Sequence, residues 1–178
     1  MDRPVALIPL VCLKCSTPIP AQPEEVAWVC AQCGQGQALD DDKGLVPLEF
    51  HCLPGIPAQG KGKPFWVVAG KVTLERETYS GDKANEAQKF WSQPRRFFIP
   101  AFSTRLDAGL ELANRLLLQP PKLEEGPPSA FEPVVVSQSE VQPLVDFLVL
   151  SIEAARSDQL KELHFRVELT PAVLWVLP

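Results

Sequence analysis

The sequence predicts an α+β chain in which a small N-terminal all-β unit is followed by a mixed sheet with two helices packed on one face. Three observations lead to this fold class. Two cysteine pairs lie near the N-terminus, apolar runs of strand length recur at residues 65–74, 97–102 and 163–177, and two stretches of helical periodicity lie between those runs. The chain has 178 residues, of which 46% are hydrophobic and 22% charged, a composition typical of globular proteins.

The domain boundaries follow from changes of composition along the chain. We expect an N-terminal unit at residues 1–50, a linker at 51–63 and a larger α+β domain at 64–178. Within the larger domain, residues 119–133 contain five prolines, and we expect them to form a stiff loop rather than a helix or strand.

Four of the five cysteines form two Cys-x-x-Cys pairs. Cys12 and Cys15 form the first pair, Cys30 and Cys33 form the second, and 14 residues separate them. A tight turn lets both sulfurs of a pair face one ion, and the intervening length suits a short hairpin that brings the two turns together. Four thiolates around a tetrahedral centre favour zinc and close its coordination shell. We therefore expect one structural Zn²⁺ rather than a catalytic one.

The cysteine pattern resembles that of the zinc-ribbon superfamily over residues 8–50. Gly34 matches the glycine that often follows the second pair, whereas Ser16 stands where the first pair would have one. Beyond this unit, the strand at 97–102 and the tail that ends in proline loosely resemble uncharacterised bacterial zinc-ribbon proteins, a likeness that implies no activity.

Three short strands are expected around the second cysteine pair, at residues 26–29, 37–39 and 44–48. A segment of this size buries little apolar surface. We therefore expect the ion to supply much of its folding free energy.

Other uses of the cysteines stay open. Disulfides would suit an exported protein, but the apolar run at residues 5–13 is short and broken by Pro9, unlike a signal peptide. A rubredoxin-like iron site for electron transfer would use the same four thiolates, although its pairs usually lie farther apart. We expect Cys52, next to His51, to be a partly buried small residue at a strand end, with a reactive thiol or replacement ligand as the alternative.

The charge distribution argues against nucleic-acid binding through the N-terminal unit. The whole chain has a net charge of −5. Residues 1–50 have a net charge of −4, and zinc with four thiolates would add −2 more. Residues 40–42 are three consecutive aspartates, which would repel phosphate.

An alternative function concerns the basic, aromatic segment at residues 61–105. Its basic side chains include Lys61, Lys63, Arg95 and Arg96, and basic residues interleaved with aromatic ones can bind RNA or single-stranded DNA. The aromatic residues alternate as buried strand residues would, however, so we expect them to belong to the core. A nucleic-acid-associated factor is therefore the second prediction.

The first part of the larger domain is expected to contain two strands. The run at 65–74 is rich in β-branched and aromatic residues. The run at 97–102 contains Pro100, which favours an edge strand because proline cannot donate to a ladder. Between them, residues 79–89 are polar and are expected to form an exposed loop.

The second part is expected to contain two helices and a hairpin. One helix begins near Thr104 and ends before Pro120. The other, at residues 139–156, has apolar residues at helical spacing and is apolar around most of its surface. It is either buried within the chain or covered by another protein. The runs at 163–169 and 172–177 are expected to pair as a hairpin.

The sequence predicts no enzymatic activity. It contains no nucleophile elbow, phosphate-binding glycine loop or dinucleotide fingerprint, and His164 is expected to be exposed. No apolar run is long enough to span a bilayer, so we expect a cytoplasmic protein. The preferred function is a non-catalytic accessory or assembly subunit that binds other proteins, with no small-molecule substrate.

Overall fold

The computed structural model describes residues 8–81 and 83–178. Residues 5–7 of the apolar N-terminal run, and residue 82 in the segment 79–89, lie outside this description. The α+β class is confirmed, since a small antiparallel sheet precedes a larger mixed sheet with helices.

The described residues form eight strands and three α-helices. The strands are β1 (Ala27–Val29), β2 (Gly36–Asp40), β3 (Gly44–Pro47), β4 (Phe50–Cys52), β5 (Lys63–Ser80), β6 (Arg95–Pro100), β7 (Gln159–Leu169) and β8 (Val173–Leu177). The helices are α1 (Ala84–Trp91), α2 (Leu106–Leu118) and α3 (Val141–Ala154).

The N-terminal sheet has β2 at its centre, with β1 and β3 antiparallel on either side. The β2–β3 turn closes where the Asp40 carboxylate accepts the N–H groups of Asp42 and Lys43 at 3.0 and 2.9 Å. Gly44 follows with a φ of 77°, which glycine adopts without strain. The three strands expected around the second cysteine pair are therefore confirmed, and the run of aspartates forms their turn.

The larger sheet is organised by β5, which is 18 residues long. β6 pairs antiparallel along one of its sides, β7 and β8 follow each other along the other, and β4 lies outside β8 in parallel orientation. Gly70 lies opposite Arg95 on one side and Leu169 on the other. Pro100 belongs to β6, an edge strand, as its missing N–H predicted.

The prediction that the last two strands pair as a hairpin is wrong. Both strands pair with β5 instead of with each other, and residues 170–172 form a bulge opposite Val68 and Ala69. Thr170 fixes the bulge by donating its N–H to the Ala69 carbonyl at 2.8 Å and accepting the Ala69 N–H at 3.0 Å. Pro171 interrupts the apolar pattern, but β5 is long enough for both strands to pair with it in line.

The prediction of an exposed loop at residues 79–89 is also wrong. β5 runs to Ser80 and α1 begins at Ala84. Ala87 and Trp91, one helical turn apart, are the buried side chains of this short helix. A single apolar pair among polar residues gives a weak periodic signal, so the sequence predicted two helices where the structure has a third.

The two faces of the larger sheet carry separate apolar clusters. Successive side chains of a strand point to opposite faces, so Trp66 and Phe65 belong to different clusters. α1 and α3 contribute to the Trp66 cluster, whereas Leu53 and Leu123, from outside the strands and helices, pack at the Phe65 cluster.

Helix α2 contributes to both faces. Ala113 and Leu117 join the Trp66 cluster, while Leu112 and Leu116 pack against the Phe65 cluster. The helix packs mainly on the edge strand β6. It therefore reaches around the edge of the sheet rather than covering one face alone.

The domain boundary expected at residue 50 stays a prediction. Strand β4 begins at that position and extends past it. Phe50 to Cys52 pair with β8 of the larger sheet. The N-terminal sheet also contacts the proline-rich segment, because Ala27 forms a bridge with Val134. Among the described residues, no helix has the length and apolar character needed to cross a membrane.

Candidate metal centre

The four cysteines of the two pairs meet at one point. Their sulfurs all lie within 4.8 Å of one another, with Cys12 and Cys33 3.5 Å apart and Cys15 and Cys30 3.6 Å apart. None of the four forms a disulfide. The cluster can hold a metal ion, and it brings together every ligand that the sequence predicted.

The first cysteine pair lies in a tight turn closed by backbone hydrogen bonds. Cys12 donates its N–H to the Thr17 carbonyl and accepts the Ser16 N–H at its own carbonyl, both at 2.9 Å. Ser16 has a φ of 59°, in the left-handed region where glycine is usual. The absent glycine therefore leaves the turn formed, with the strain placed on a serine.

The second turn repeats this geometry. Cys30 donates to the Gln35 carbonyl at 2.9 Å and accepts from Gly34 at 2.8 Å. Gly34 has a φ of 71°, matching Ser16 in the first turn. Two equivalent turns facing each other give four sulfurs directed at one centre.

Gln37 joins the first turn to the N-terminal sheet. Its side chain is fully buried. Its Oε1 accepts the N–H of Leu13 at 3.0 Å, and its Nε2 donates to the carbonyl of Val11 at 3.2 Å. Because Gln37 lies on β2, these bonds hold the first cysteine pair against the strand that follows the second. A lone glutamine in an alternating strand gave no sequence signal for this role.

Apolar side chains shield one side of the cluster. Cys12 and Cys30 are buried together with Ile19 and Trp28, whereas Cys15 is exposed. A bound ion would therefore contact protein on one side and approach solvent on the other.

Hydrogen bonding favours thiolates in the first turn. The pKa of Cys15 is lowered to about 6, first by the Thr17 hydroxyl 3.2 Å from its sulfur and then by the Thr17 N–H. The pKa of Cys12 is lowered as well, chiefly by the N–H of Cys15. The N–H of Gln35 acts in the same direction on Cys33, but burial and the neighbouring sulfurs raise that pKa to about 12. A bound cation would favour the thiolate form of all four cysteines.

Comparison of the chain with protein-family models, curated proteins and solved structures found no match.

Cys52 and His51 do not belong to the cysteine cluster. Cys52 ends β4, as expected, and is buried more completely than expected, with its sulfur 4.0 Å from the Ser129 carbonyl oxygen. His51 stacks on Trp175 at a ring distance of 4.7 Å and contacts Glu125 at 2.8 Å.

The basic residues proposed for nucleic acid do not form one cluster on the larger sheet. Lys63 begins β5, whereas Arg95 pairs with Gly70 of the same strand. Lys63 and Gly70 are seven residues apart, which is roughly 23 Å along a strand. Arg95 is also engaged, since its guanidinium donates to the Phe90 carbonyl at 2.6 and 3.0 Å and lies 4.2 Å from the Phe90 ring.

The aromatic side chains around those basic residues are buried, as the alternation predicted: Phe65, Trp66, Trp91, Phe97 and Phe98. They are not available for stacking on bases. The use of Lys61, Lys63, Arg95 and Arg96 in nucleic-acid binding stays a prediction.

A buried ionic cluster joins α1, β5 and α3. The side chains of Arg76 and Glu153 are fully buried, with Arg76 Nε 3.4 Å from the Glu153 carboxylate. Arg76 also binds Asp158 through two hydrogen bonds of 2.7 and 2.9 Å. Glu153 accepts from Trp91 at 2.8 Å and from Arg156 at 2.7 and 2.8 Å. Each buried charge has an ion-pair partner, although Arg76 Nε itself makes no hydrogen bond, and such pairing fixes the relative positions of the three elements.

Proposed function

We propose that this chain is a non-catalytic, cytoplasmic zinc-ribbon protein that serves as an accessory or assembly subunit and binds other proteins. The observation that carries the proposal is an exposed apolar stripe on α3. Pro143, Phe147, Leu150 and Ala154 recur at intervals of four, three and four residues and are all exposed. Phe147 and Leu150 are 47% and 40% exposed. Contiguous exposed apolar side chains on a helix are typical of a protein–protein interface.

Zinc fits the geometry of the cysteine cluster. Four sulfurs about 2.3 Å from a tetrahedral zinc lie about 3.8 Å from one another. The two shortest separations here, 3.5 and 3.6 Å, are close to that value. Four thiolates leave no open position for substrate, which supports a structural role.

The charges around the stripe favour a protein partner. The nearest acidic side chain on α3 is Asp146, one residue from Phe147, and α3 carries no lysine or arginine. Because Glu153 is buried and ion-paired, the exposed side of α3 offers one carboxylate and no cation, which suits an apolar partner surface with a basic rim better than nucleic-acid phosphates.

The proposal is tested by copurification from the native host. Phe147→Asp combined with Leu150→Asp places two charges in the stripe, and we expect this variant to lose copurifying polypeptides while keeping its metal. Leu118→Asp is the matched control, because Leu118 is 56% exposed on α2 and lies outside the stripe. Unchanged copurification by the double variant would overturn the proposal.

A further inference from the structure

A groove of about 510 Å³ lies between the N-terminal sheet and the proline-rich segment. One wall is β1, and the other is residues 128–133; we call this the β1 groove. The two walls converge at the bridge between Ala27 and Val134 and separate beyond it. The groove therefore follows the outer edge of β1, on the side away from β2.

The register of β1 leaves backbone groups directed into this groove. The pairs Val26–Leu39 and Cys30–Gln35 are joined by backbone hydrogen bonds. Hydrogen-bonded and non-hydrogen-bonded pairs alternate in an antiparallel ladder, so Val29, opposite Gly36, lies at a non-hydrogen-bonded position. Its N–H and C=O therefore point to the outer edge, where an added strand would pair with them.

The opposite wall cannot fill this edge itself. Pro128 and Pro133 have no N–H to donate. The segment between them is already paired elsewhere, since Gly62 donates to the Ala130 carbonyl at 2.8 Å and accepts the Glu132 N–H at 2.9 Å. Among the residues that the structure describes, no backbone hydrogen bond joins this wall to Val29.

The charge of the lining specifies the occupant. Glu25 and Glu132 line the groove, and no basic residue of the described part of the chain does so. Glu25 accepts the N–H of Gln22 and of the Trp28 ring. Glu132 is half-buried, and within residues 8–81 and 83–178 its carboxylate has no hydrogen-bond or ion-pair partner. A half-buried, unpaired carboxylate is stabilised by a cationic ligand.

The remaining lining is apolar. Ile19, Phe50 and Phe131 contribute to it, together with Trp28. Alternate side chains of an added strand would face these residues, while the intervening ones would point away.

We propose that the β1 groove binds an extended segment of a partner protein as an added strand on β1, with apolar side chains against the lining and a lysine or arginine at Glu132. This inference deepens the protein-binding function proposed above and rests on it. The partner segment is identified by its chemistry, an extended backbone with alternating apolar residues and a basic side chain.

The test uses the full, metal-loaded chain and a displayed library of random heptapeptides. We expect selected peptides to contain lysine or arginine among alternating apolar residues. Glu132→Gln, which keeps the shape of the side chain, is expected to weaken their binding about tenfold. Glu111→Gln is the control, because Glu111 is exposed on α2 and lies outside the lining. N-methylation of alternate peptide amides is expected to abolish binding.

Other results would overturn the inference. These are a selection that yields no binding peptide, peptides without basic residues, or peptides equally sensitive to both glutamine variants. Peptides that lose binding in the Phe147→Asp, Leu150→Asp protein instead would assign recognition to α3. The copurification experiment addresses that stripe separately, so failure of the groove and failure of the proposed subunit function are distinguishable.

Discussion

The side-chain oxygen of Gln37 accepts the backbone N–H of Leu13 at 3.0 Å, and this bond ties the first cysteine pair to the strand that follows the second. Leu13 lies between Cys12 and Cys15, so its backbone position sets the direction of both sulfurs. Gln37 is thus a positioning residue for the metal centre: it is not a ligand, but it holds the turn that carries two of them.

Removal of this tether should weaken metal binding. We expect Gln37→Leu to leave the N–H of Leu13 without its partner, at a cost of about 1–2 kcal/mol, or roughly tenfold in metal affinity. Competition with a chromophoric chelator measures the change. Gln32→Leu is the control, because Gln32 is exposed in the second turn. Equal affinities for the two variants would contradict the role given to Gln37.

The two left-handed residues predict effects of opposite sign. Gly34→Ala forces a side chain into a φ of 71°, at a cost of about 1–2 kcal/mol, and should lower metal affinity about tenfold. Within the described part of the chain, no atom beyond the adjacent residues lies within 4 Å of the added Cβ, so the expected cost is backbone strain. Ser16→Gly relieves the same strain and should raise affinity. A loss of affinity in both variants, measured with the same chelator, would contradict equivalent turns.

Loss of the ligands should unfold the N-terminal sheet selectively. We expect Cys12→Ser combined with Cys30→Ser to abolish metal binding and melt residues 8–50, while residues 64–178 keep a cooperative transition in calorimetry. Cys52→Ser, outside the cluster, should retain its metal. If the metal-free protein kept the full stability of the metal-loaded one, a structural ion would be excluded.

The buried ionic cluster predicts a pH dependence of stability. Burial acts to raise the pKa of Asp158, but hydrogen bonds and the charge of Arg76 outweigh it and hold the pKa below 3.8. A carboxyl group with a lowered pKa in the folded state contributes stability above its unfolded pKa. That contribution is lost as the pH falls through the folded value. The stabilisation by Asp158 should therefore be complete above about pH 4–5 and decline below it.

The measurement is urea unfolding of Asp158→Asn and the natural protein between pH 3 and pH 7. The difference between the two midpoints should be largest near neutral pH and shrink toward pH 3. Asp146→Asn, on the exposed side of α3, is the control for ordinary surface charge. A difference that is constant with pH would contradict the assignment.

Much of the fold was predictable from local patterns. The cysteine spacing identified all four clustered sulfurs, strand alternation identified the buried aromatics, and the missing N–H of Pro100 identified an edge strand. These features depend on residues close together in the sequence, where period and residue type carry the information.

The errors arose where distant residues decide the structure. β7 and β8 pair with β5 because β5 extends to Ser80, which no local pattern within the C-terminal strands could indicate. The inner face of α1 is marked by Trp91, whose ring N–H donates to Glu153, 62 residues away. This contact is not visible in the local sequence of α1. Gln37 and the β1 groove likewise depend on the packing of remote segments, so the sequence alone did not predict them.

The proposed role as a zinc-containing subunit of a protein assembly can be tested by native mass spectrometry of the chain, purified gently from its native host with the bound metal resolved. We expect an assembly with other polypeptides that contains one zinc ion for each copy of this chain. A monomer without metal, a chain with iron, or a chain that copurifies with nucleic acid instead of protein would contradict it.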